Sequence, residues 1–296
     1  MTLIFGGRSF VAQNLKHGIK LSRQECDLTK YDQILSVLKH FKPKSVINCA
    51  SAHGSAKFMS SNHVHFLQYN LTIDSNLLQA CHELNIENVV LMSSVSAFPG
   101  ILNRDFTESD LYTGGVNKFN FGYNTSKRIS YDLCKSYELD YGRNYKTLFL
   151  GNLYGKYGNF ALDSNVLNSV IFQIGQAKLN KADIQLYGTG EDERAFTFVE
   201  DLNSVLDTFI DNKEIKSAIF SSNEVYTIEE VTKMVAEIMS FRGKIIFTGE
   251  ENSGQRRKVA SSKYLQSKIQ GLTFTRLEVG LDQVINWYVN AFLKTI

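Results

Sequence analysis

Four short apolar runs, "TLIFGG", "SVINCAS", "NVVLMSS" and "KTLFLGN", punctuate the first half of the chain, with longer stretches of helical period between them. "IDSNLLQACHELN" and "SKRISYDLCKSYELDYG" are the clearest of these stretches. Strands alternating with helices predict an α/β fold, a parallel sheet with helices on both faces. "CDLTKYDQILSVLKHF" supplies a further helix, with Asp27 or Thr29 as its N-cap ahead of Ile34, Leu35, Val37 and Leu38. After about residue 155 the rhythm is less regular, with mixed polar stretches at 156–165 and 175–194 and a helical ending, "LEVGLDQVINWYVNAFL". This pattern predicts a main domain over 1–155, to which segments near 185–215 return, and a smaller interleaved α/β lobe made mainly of 156–296. There are only two prolines, Pro43 and Pro99, and no Ser/Gly linker, low-complexity tract or fixed-period repeat.

A length of 296 residues suits this arrangement and leaves room for a sizeable core. The net charge is +2, from 32 basic and 30 acidic residues, and the basic residues are scattered, which argues against nucleic acid as a main partner. Cys26, Cys49, Cys81 and Cys134 lie far apart with no C-x-x-C pair, so no metal site is expected and a reducing, cytoplasmic setting fits best. "MTLIFGGRSF" lacks the basic flank and long apolar run of a signal peptide. No segment approaches the roughly 18 to 20 apolar residues that span a bilayer, so a soluble protein is expected.

The first run leads straight into "FGGRSFVAQNLK", a strand, a glycine turn and a helix start, where backbone N–H groups can hold a pyrophosphate. If Gly6 opens a G-x-x-G-x-x-G turn, Ser9 and Ala12 stand at the second and third glycine positions. Both are small, so close approach to phosphate remains possible at some cost. Asp27 follows about twenty residues later, where an acidic residue often marks the ribose end of the second strand. That strand is brief, so Asp27 equally suits a place at the adenine ring or a helix cap. Arg8 and Arg23 can clamp a 2'-phosphate, which favours NADP(H) over NAD(H); two solvated arginines are the plain alternative.

"NVVLMSSVSAF" delivers the hydroxyls of Ser93, Ser94 and Ser96 to a strand's C-terminal end, where open α/β sheets bind ligands. "FGYNTSKRISYDLCKSY" then places Tyr123 and Lys127 at i and i+4, on one helix face. An ammonium beside a phenol favours phenolate and is expected to lower the tyrosine pKa toward working pH, so that Tyr123 can exchange a proton with a substrate oxygen. Ser94 can bond the same oxygen. A strand end and a solvated helix face are the bland readings of each motif, but their joint order with the glycine turn is hard to reach by chance.

This order resembles the extended short-chain dehydrogenase/reductase family, and within it the GDP-L-fucose synthase branch, NADPH-dependent 3,5-epimerase/4-reductases of GDP-4-keto-6-deoxymannose. The resemblance covers nearly the whole chain through "NLTIDSNLLQACHELNIENVVLMSS", "YNTSKRISYDLCKSYELDYGRNYKTLFLGNLYG", "YGTGEDERAFTFVEDL" and "SGQRRKV". It implies a Rossmann-type doubly wound sheet, a nicotinamide cofactor and a homodimer in the cytoplasm serving surface polysaccharide synthesis. Ser94, Tyr123 and Lys127 would be catalytic. Gly6, Gly7, Arg8, Ser9, Phe10, Val11, Arg23, Asp27, Leu28, Ala50, Ser51, Ser93, Lys127, Leu150, Gly151, Asn152 and Leu153 would hold NADP(H). Ser96, Asn152, Asn165, Tyr187, Arg194 and Arg257 would face a nucleotide-diphosphate sugar, GDP-linked by resemblance, with the arginines suited to the diphosphate. A salt bridge to nearby acids is the competing reading of Arg194.

Epimerising members of that branch also use a Cys and a His to move protons at C3 and C5. Here Ser96 matches the Cys, and Asn165 or Val166 stands where the His should be. A serine hydroxyl is a poor base for a carbon acid. All six histidines precede residue 83, and His53, in "CASAHGS", is the one that can still approach the substrate. Reduction needs only a hydride and one proton donor. The expected activity is therefore reduction of the C4 ketone of a nucleotide-activated deoxy- or heptose sugar without epimerisation. An NAD-retaining C4 dehydrogenase or epimerase, a full epimerase/reductase, and a silent sugar-nucleotide-binding protein are the alternatives.

Overall fold

A computed structural model describes residues 1–102, 104–249 and 256–293. The first half alternates as β1 (Thr2–Phe5), α1 (Phe10–Asn14), β2 (Ile19–Leu21), α2 (Tyr31–Phe41), β3 (Ser45–Asn48), α3 (Ala56–Ser60), α4 (His63–Glu83), β4 (Asn88–Ser94), α5 (Phe121–Tyr141) and β5 (Asn144–Leu150). The second half runs β6 (Asn152–Tyr154), α6 (Val166–Asn180), β7 (Ile184–Leu186), β8 (Glu193–Phe198), α7 (Leu202–Asp211), β9 (Ser217–Phe220), β10 (Val225–Thr227), α8 (Ile228–Ile238), β11 (Ile245–Phe247), β12 (Arg257–Lys258), α9 (Lys263–Lys268) and α10 (Leu277–Tyr288).

The four apolar runs are β1, β3, β4 and β5 of a six-stranded parallel sheet, ordered β2-β1-β3-β4-β5-β9. Successive strand residues point to opposite faces, and both faces are covered, which is why the runs are continuously apolar. Ile4, Ile47, Val90 and Leu148 pack with α1, α7 and α9. Leu3, Phe5, Val46, Val89 and Leu91 pack with α2, α4 and α5. The chain winds outward in opposite directions from β1 and β3, and this reversal opens a crevice at their C-terminal ends.

The helix expected after Asp27 starts at Tyr31, with Lys30 as its N-cap and no side-chain capping bond. Asp27 is engaged earlier: its carboxylate accepts from the Thr29 N–H at 3.0 Å and the Thr29 hydroxyl at 2.8 Å. Such a local turn competes with helix initiation.

A second core gathers around β8, with Tyr154, Ile171, Phe198, Val235 and Leu281 among its members. β8 pairs antiparallel with β10 and parallel with β6 and β12. Between these elements the chain returns to the large sheet through α7 and β9, and later through α9, whose Leu265 packs beside Phe220.

The helices α4 and α5 lie side by side, each of 21 residues. They meet tightly at Gly122, where an added Cβ would stand 2.0 Å from the His63 carbonyl oxygen. Tyr123 is the next residue, so this contact fixes where its ring begins. In an unconstrained helix Gly→Ala stabilises by about 1 kcal/mol. At Gly122 the sign should reverse, with Gly122→Ala costing at least about 2 kcal/mol in urea unfolding because backbone, not a flexible side chain, must move. An unchanged or raised midpoint would show that the two helices are free to separate.

Candidate active site

Gly6 closes β1 at φ +75°, in the left-handed region that favours glycine, and an added Cβ there would stand 2.5 Å from the Ala50 nitrogen. The turn is tied to β2 by the Gly7 N–H, which donates to the Leu21 carbonyl at 2.8 Å. Ser9 is the N-cap of α1 and accepts from the Ala12 N–H at 3.2 Å, while Ala12 is fully buried against the sheet. The two positions that depart from glycine therefore do work suited to their size: one caps, the other packs. Phe10 and Val11 lean on the same core, and Leu28 is buried on the opposite face. The donor-rich turn beside the strand reversal has the form that fits a dinucleotide pyrophosphate.

Arg8 is exposed at this turn. Arg23 is paired with Asp27 at 3.1 Å and its guanidinium lies 5.6 Å from the centre of the Tyr69 ring. Ala50 follows β3, its N–H held by the Asn48 side-chain oxygen at 2.9 Å. The Ser51 hydroxyl bonds the Asn70 side chain at 3.2 Å.

Ser94 ends β4 in register with Leu150 of β5, so both point to the crevice end of the sheet. Its hydroxyl lies beside the Tyr123 phenol, whose ionised form it favours, and accepts the Ser96 N–H at 3.1 Å. Ser93 faces the other way and donates to the Lys127 carbonyl at 2.7 Å, which pins α5 to the end of β4. Tyr123 and Lys127 share a helix face, with the ammonium 5.6 Å from the Tyr123 ring centre. The Ser–Tyr–Lys trio thus meets at one place.

The electrostatics differ from the sequence expectation. Burial pushes the Tyr123 phenol up to about 12, against the opposing hydrogen bond of Ser94, so near neutrality it is a protonated donor rather than a phenolate. Lys127 is itself desolvated, which lowers its pKa, while the charge of Asp74 supports the cation. Asp74 sits beneath it on α4, 4 % exposed, accepting from Asn48 at 2.7 Å and from the Ser130 hydroxyl at 2.6 Å. Burial raises its pKa, opposed by Lys127 and these two bonds. Asn70, one helical turn before Asp74, bonds Ser126 and the Ala52 carbonyl, both at 3.2 Å.

His53 packs edge-on against Tyr123, ring centres 5.4 Å apart. His53 is exposed as a residue, and partial desolvation of its ring, with Lys127 nearby, holds its pKa below the usual value. Cys49 is close to Lys127, but burial pushes its thiol up to about 12. The Gly151 N–H donates to the Phe220 carbonyl at 2.9 Å, and an added Cβ would stand 2.8 Å from the Ser221 hydroxyl oxygen. The Asn152 amide is tied to the Ala195 carbonyl of β8 at 3.0 Å, and Leu153 packs on the main core.

On the small-lobe side, Arg194 pairs with Asp192 at 3.3 Å and donates to the Glu193 and Arg256 carbonyls. Arg257 is held by Asp105 at 2.7 Å and Glu193 at 2.6 Å, which raise its pKa. Tyr187 is exposed beyond β7, and Asn165 caps α6, accepting the Asn168 N–H at 3.0 Å. Ser96 receives the Lys258 ammonium at 3.0 Å. Sequence reading passed over Lys258, whose neighbour Arg257 drew the attention, and over Asp74. Asn70 and Asp74 at i and i+4 lie on the buried face of α4 among Phe66, Ile73, Leu77 and Leu78, and that spacing was the available signal for the buried network.

The family model for the "NAD dependent epimerase/dehydratase family" matches residues 3–227. The chain is 27% identical over 305 residues to a GDP-L-fucose synthase from Dictyostelium discoideum, covering 98% of this chain and 95% of the relative. It is 30% identical over 274 residues to a GDP-L-colitose synthase from Yersinia pseudotuberculosis, covering 91% and 89%. Among solved structures it is similar to a GDP-mannoheptose C4 reductase from Campylobacter jejuni with NADP bound, at a TM-score of 0.87 and 24% identity over 97% of this chain and 98% of that one.

Because Asp74 raises the Lys127 pKa, Asp74→Asn should move the Lys127 titration to lower pH. The check is the Lys127 side-chain signal of ¹³C-lysine-labelled protein followed by NMR against pH. A midpoint equal to that of the parent protein would mean the two groups are not coupled.

Proposed function

The chain belongs to the NAD dependent epimerase/dehydratase family, and from that premise we propose that it is an NADPH-dependent oxidoreductase that reduces the C4 ketone of a GDP-linked 4-keto sugar without 3,5-epimerisation. The observation that carries this reading is the Ser94–Tyr123–Lys127 trio at the crevice end of the sheet, with its phenol kept protonated. Relatives along nearly the whole chain are named for GDP-sugar synthesis, which supports the GDP-linked substrate.

Bound NADPH would supply the hydride that adds to C4. The chain's own residues do the rest. Ser94 orients the ketone oxygen by a hydrogen bond, and Tyr123 donates its proton to that oxygen as charge develops on it. Lys127, whose charged form Asp74 favours against its burial, stabilises the phenolate that remains. The Gly6–Ser9 turn would hold the pyrophosphate, and Arg8 with Arg23 the 2'-phosphate. Residues 1–155 would serve the cofactor and 156–296 mainly the sugar nucleotide.

Three features favour reduction without epimerisation. Ser96 is an acceptor for Lys258 rather than a thiolate; Asn165 is a helix cap; and the Cys49 thiol is held in its protonated form by burial. Four buried free cysteines suit a reducing cytoplasm. Among the described residues no helix is long and apolar enough to cross a membrane. A homodimer serving polysaccharide synthesis completes the reading.

Incubation with NADPH and GDP-4-keto-6-deoxymannose in deuterated water tests it. Cofactor oxidation should occur with no deuterium at C3 or C5 by NMR, and Tyr123→Phe should slow the chemical step by at least about 100-fold. Deuterium at those carbons would refute the non-epimerising assignment, with His53 the first base to examine. Near-normal turnover by Tyr123→Phe would remove the proton-donor assignment.

A further inference from the structure

Lys258 is a cation with no acidic side chain paired to it among the described residues. On the two-residue strand β12, Arg257 and Lys258 point in opposite directions. Arg257 takes both nearby carboxylates, Asp105 and Glu193. Lys258 turns instead to the end of β4, where its ammonium donates to the Ser96 hydroxyl at 3.0 Å. Burial and the neighbouring Arg194 guanidinium push its pKa down to about 8, so it is mostly protonated at neutral pH. An ammonium carries three donors, and Ser96 accepts one. A partly buried cation in this state gains from a further oxygen acceptor.

The location says which oxygen. Ser96 lies two residues beyond Ser94, in the turn Val95–Ala97, and the Ser96 N–H bonds the Ser94 hydroxyl at 3.1 Å. If Ser94 holds the ketone oxygen at C4, the Ser96–Lys258 pair lies one step along the same wall. Vicinal oxygens on a pyranose ring are about one hydrogen-bond length apart. C5 carries only the ring oxygen and C6, so the free hydroxyl next to C4 is the one on C3.

We propose that Ser96 and Lys258 form a subsite for the C3 hydroxyl of the sugar, so that the protein selects 4-keto sugars that retain this oxygen over 3-deoxy sugars. The subsite rests on the reading of Ser94 and Tyr123 as the groups at the ketone oxygen. Lys258 is the specificity-determining residue, and Ser96 orients it. With the 3-deoxy sugar the ammonium loses an acceptor that water in a closed site cannot fully replace.

The test measures calorimetric binding of GDP-6-deoxymannose and its 3-deoxy counterpart to the full chain saturated with NADP+. The parent protein should bind the hydroxylated ligand about 10- to 100-fold more tightly, the range for a hydrogen bond to a charged group. Lys258→Met and the milder Ser96→Ala should each bring the two affinities within about 3-fold, mainly by weakening the hydroxylated ligand. Equal affinities in the parent protein would overturn the subsite. So would a Lys258→Met variant, folded by circular dichroism, that weakens both ligands alike, since Lys258 would then serve the nucleotide. Selective binding without NADPH oxidation on the 4-keto substrate would remove the ketoreductase reading and leave the subsite standing; turnover with equal binding would do the reverse.

Discussion

Taking a lysine ammonium out of water is costly, by several kcal/mol even after the protein relaxes, and the site is organised around doing so at Lys127. The compensation comes from below. Asp74 supplies the opposing charge, and Asn48 and Ser130 in turn hold Asp74. These residues come from β3, α4 and α5, so the cation is tolerated only once sheet and helices are in place. Ser93 joins β4 to the same assembly through the Lys127 carbonyl. A half-satisfied network of this kind would be worse than an apolar core, which explains why so many polar residues lie under one side chain.

The same burial decides the state of the tyrosine. Near an exposed lysine a phenol would be pulled toward phenolate. Here both groups are desolvated, and the phenol moves up rather than down. A protonated phenol suits delivery of a proton to a ketone oxygen, the demand of reduction. Another sheet contributes to the same wall of the site: β12, paired to β8, brings Lys258 to the end of β4. Two sheets with separate cores thus meet at one site.

Much of this was legible in the sequence where burial and period dictate it. β1, β3, β4 and β5 are apolar on both faces and were visible as continuous runs. Tyr123 and Lys127 were visible because i and i+4 fall on one helix face whatever surrounds them. Features set by tertiary contact were not visible. Asp74 reads as an ordinary polar helix residue until α5 is laid beside α4. Lys258 follows Arg257 on a strand too short to show alternation. The start of α2 was misjudged because Asp27, a good cap by type, bonds Thr29 in a turn of its own. The direction of the Tyr123 shift depends on desolvation, which no spacing encodes.

The return of the chain to the large sheet has a consequence for synthesis on the ribosome. β5 ends at Leu150, but its neighbour β9 begins at Ser217, and Leu265 of α9 arrives later still to complete the core on that face. At roughly 5–20 residues per second, the first five strands wait several seconds with the β5 edge unpaired and an apolar face incompletely covered. During that interval the nascent protein presents a sheet edge able to pair with another chain. The intervening segment is incomplete in the same interval, since Val231, Val235 and Leu281 of the second core are made only after β9. Production of the active protein should therefore depend on chaperone capacity and translation speed more than its finished stability would suggest, and a fragment ending before β9 would be an aggregation-prone piece rather than a working half.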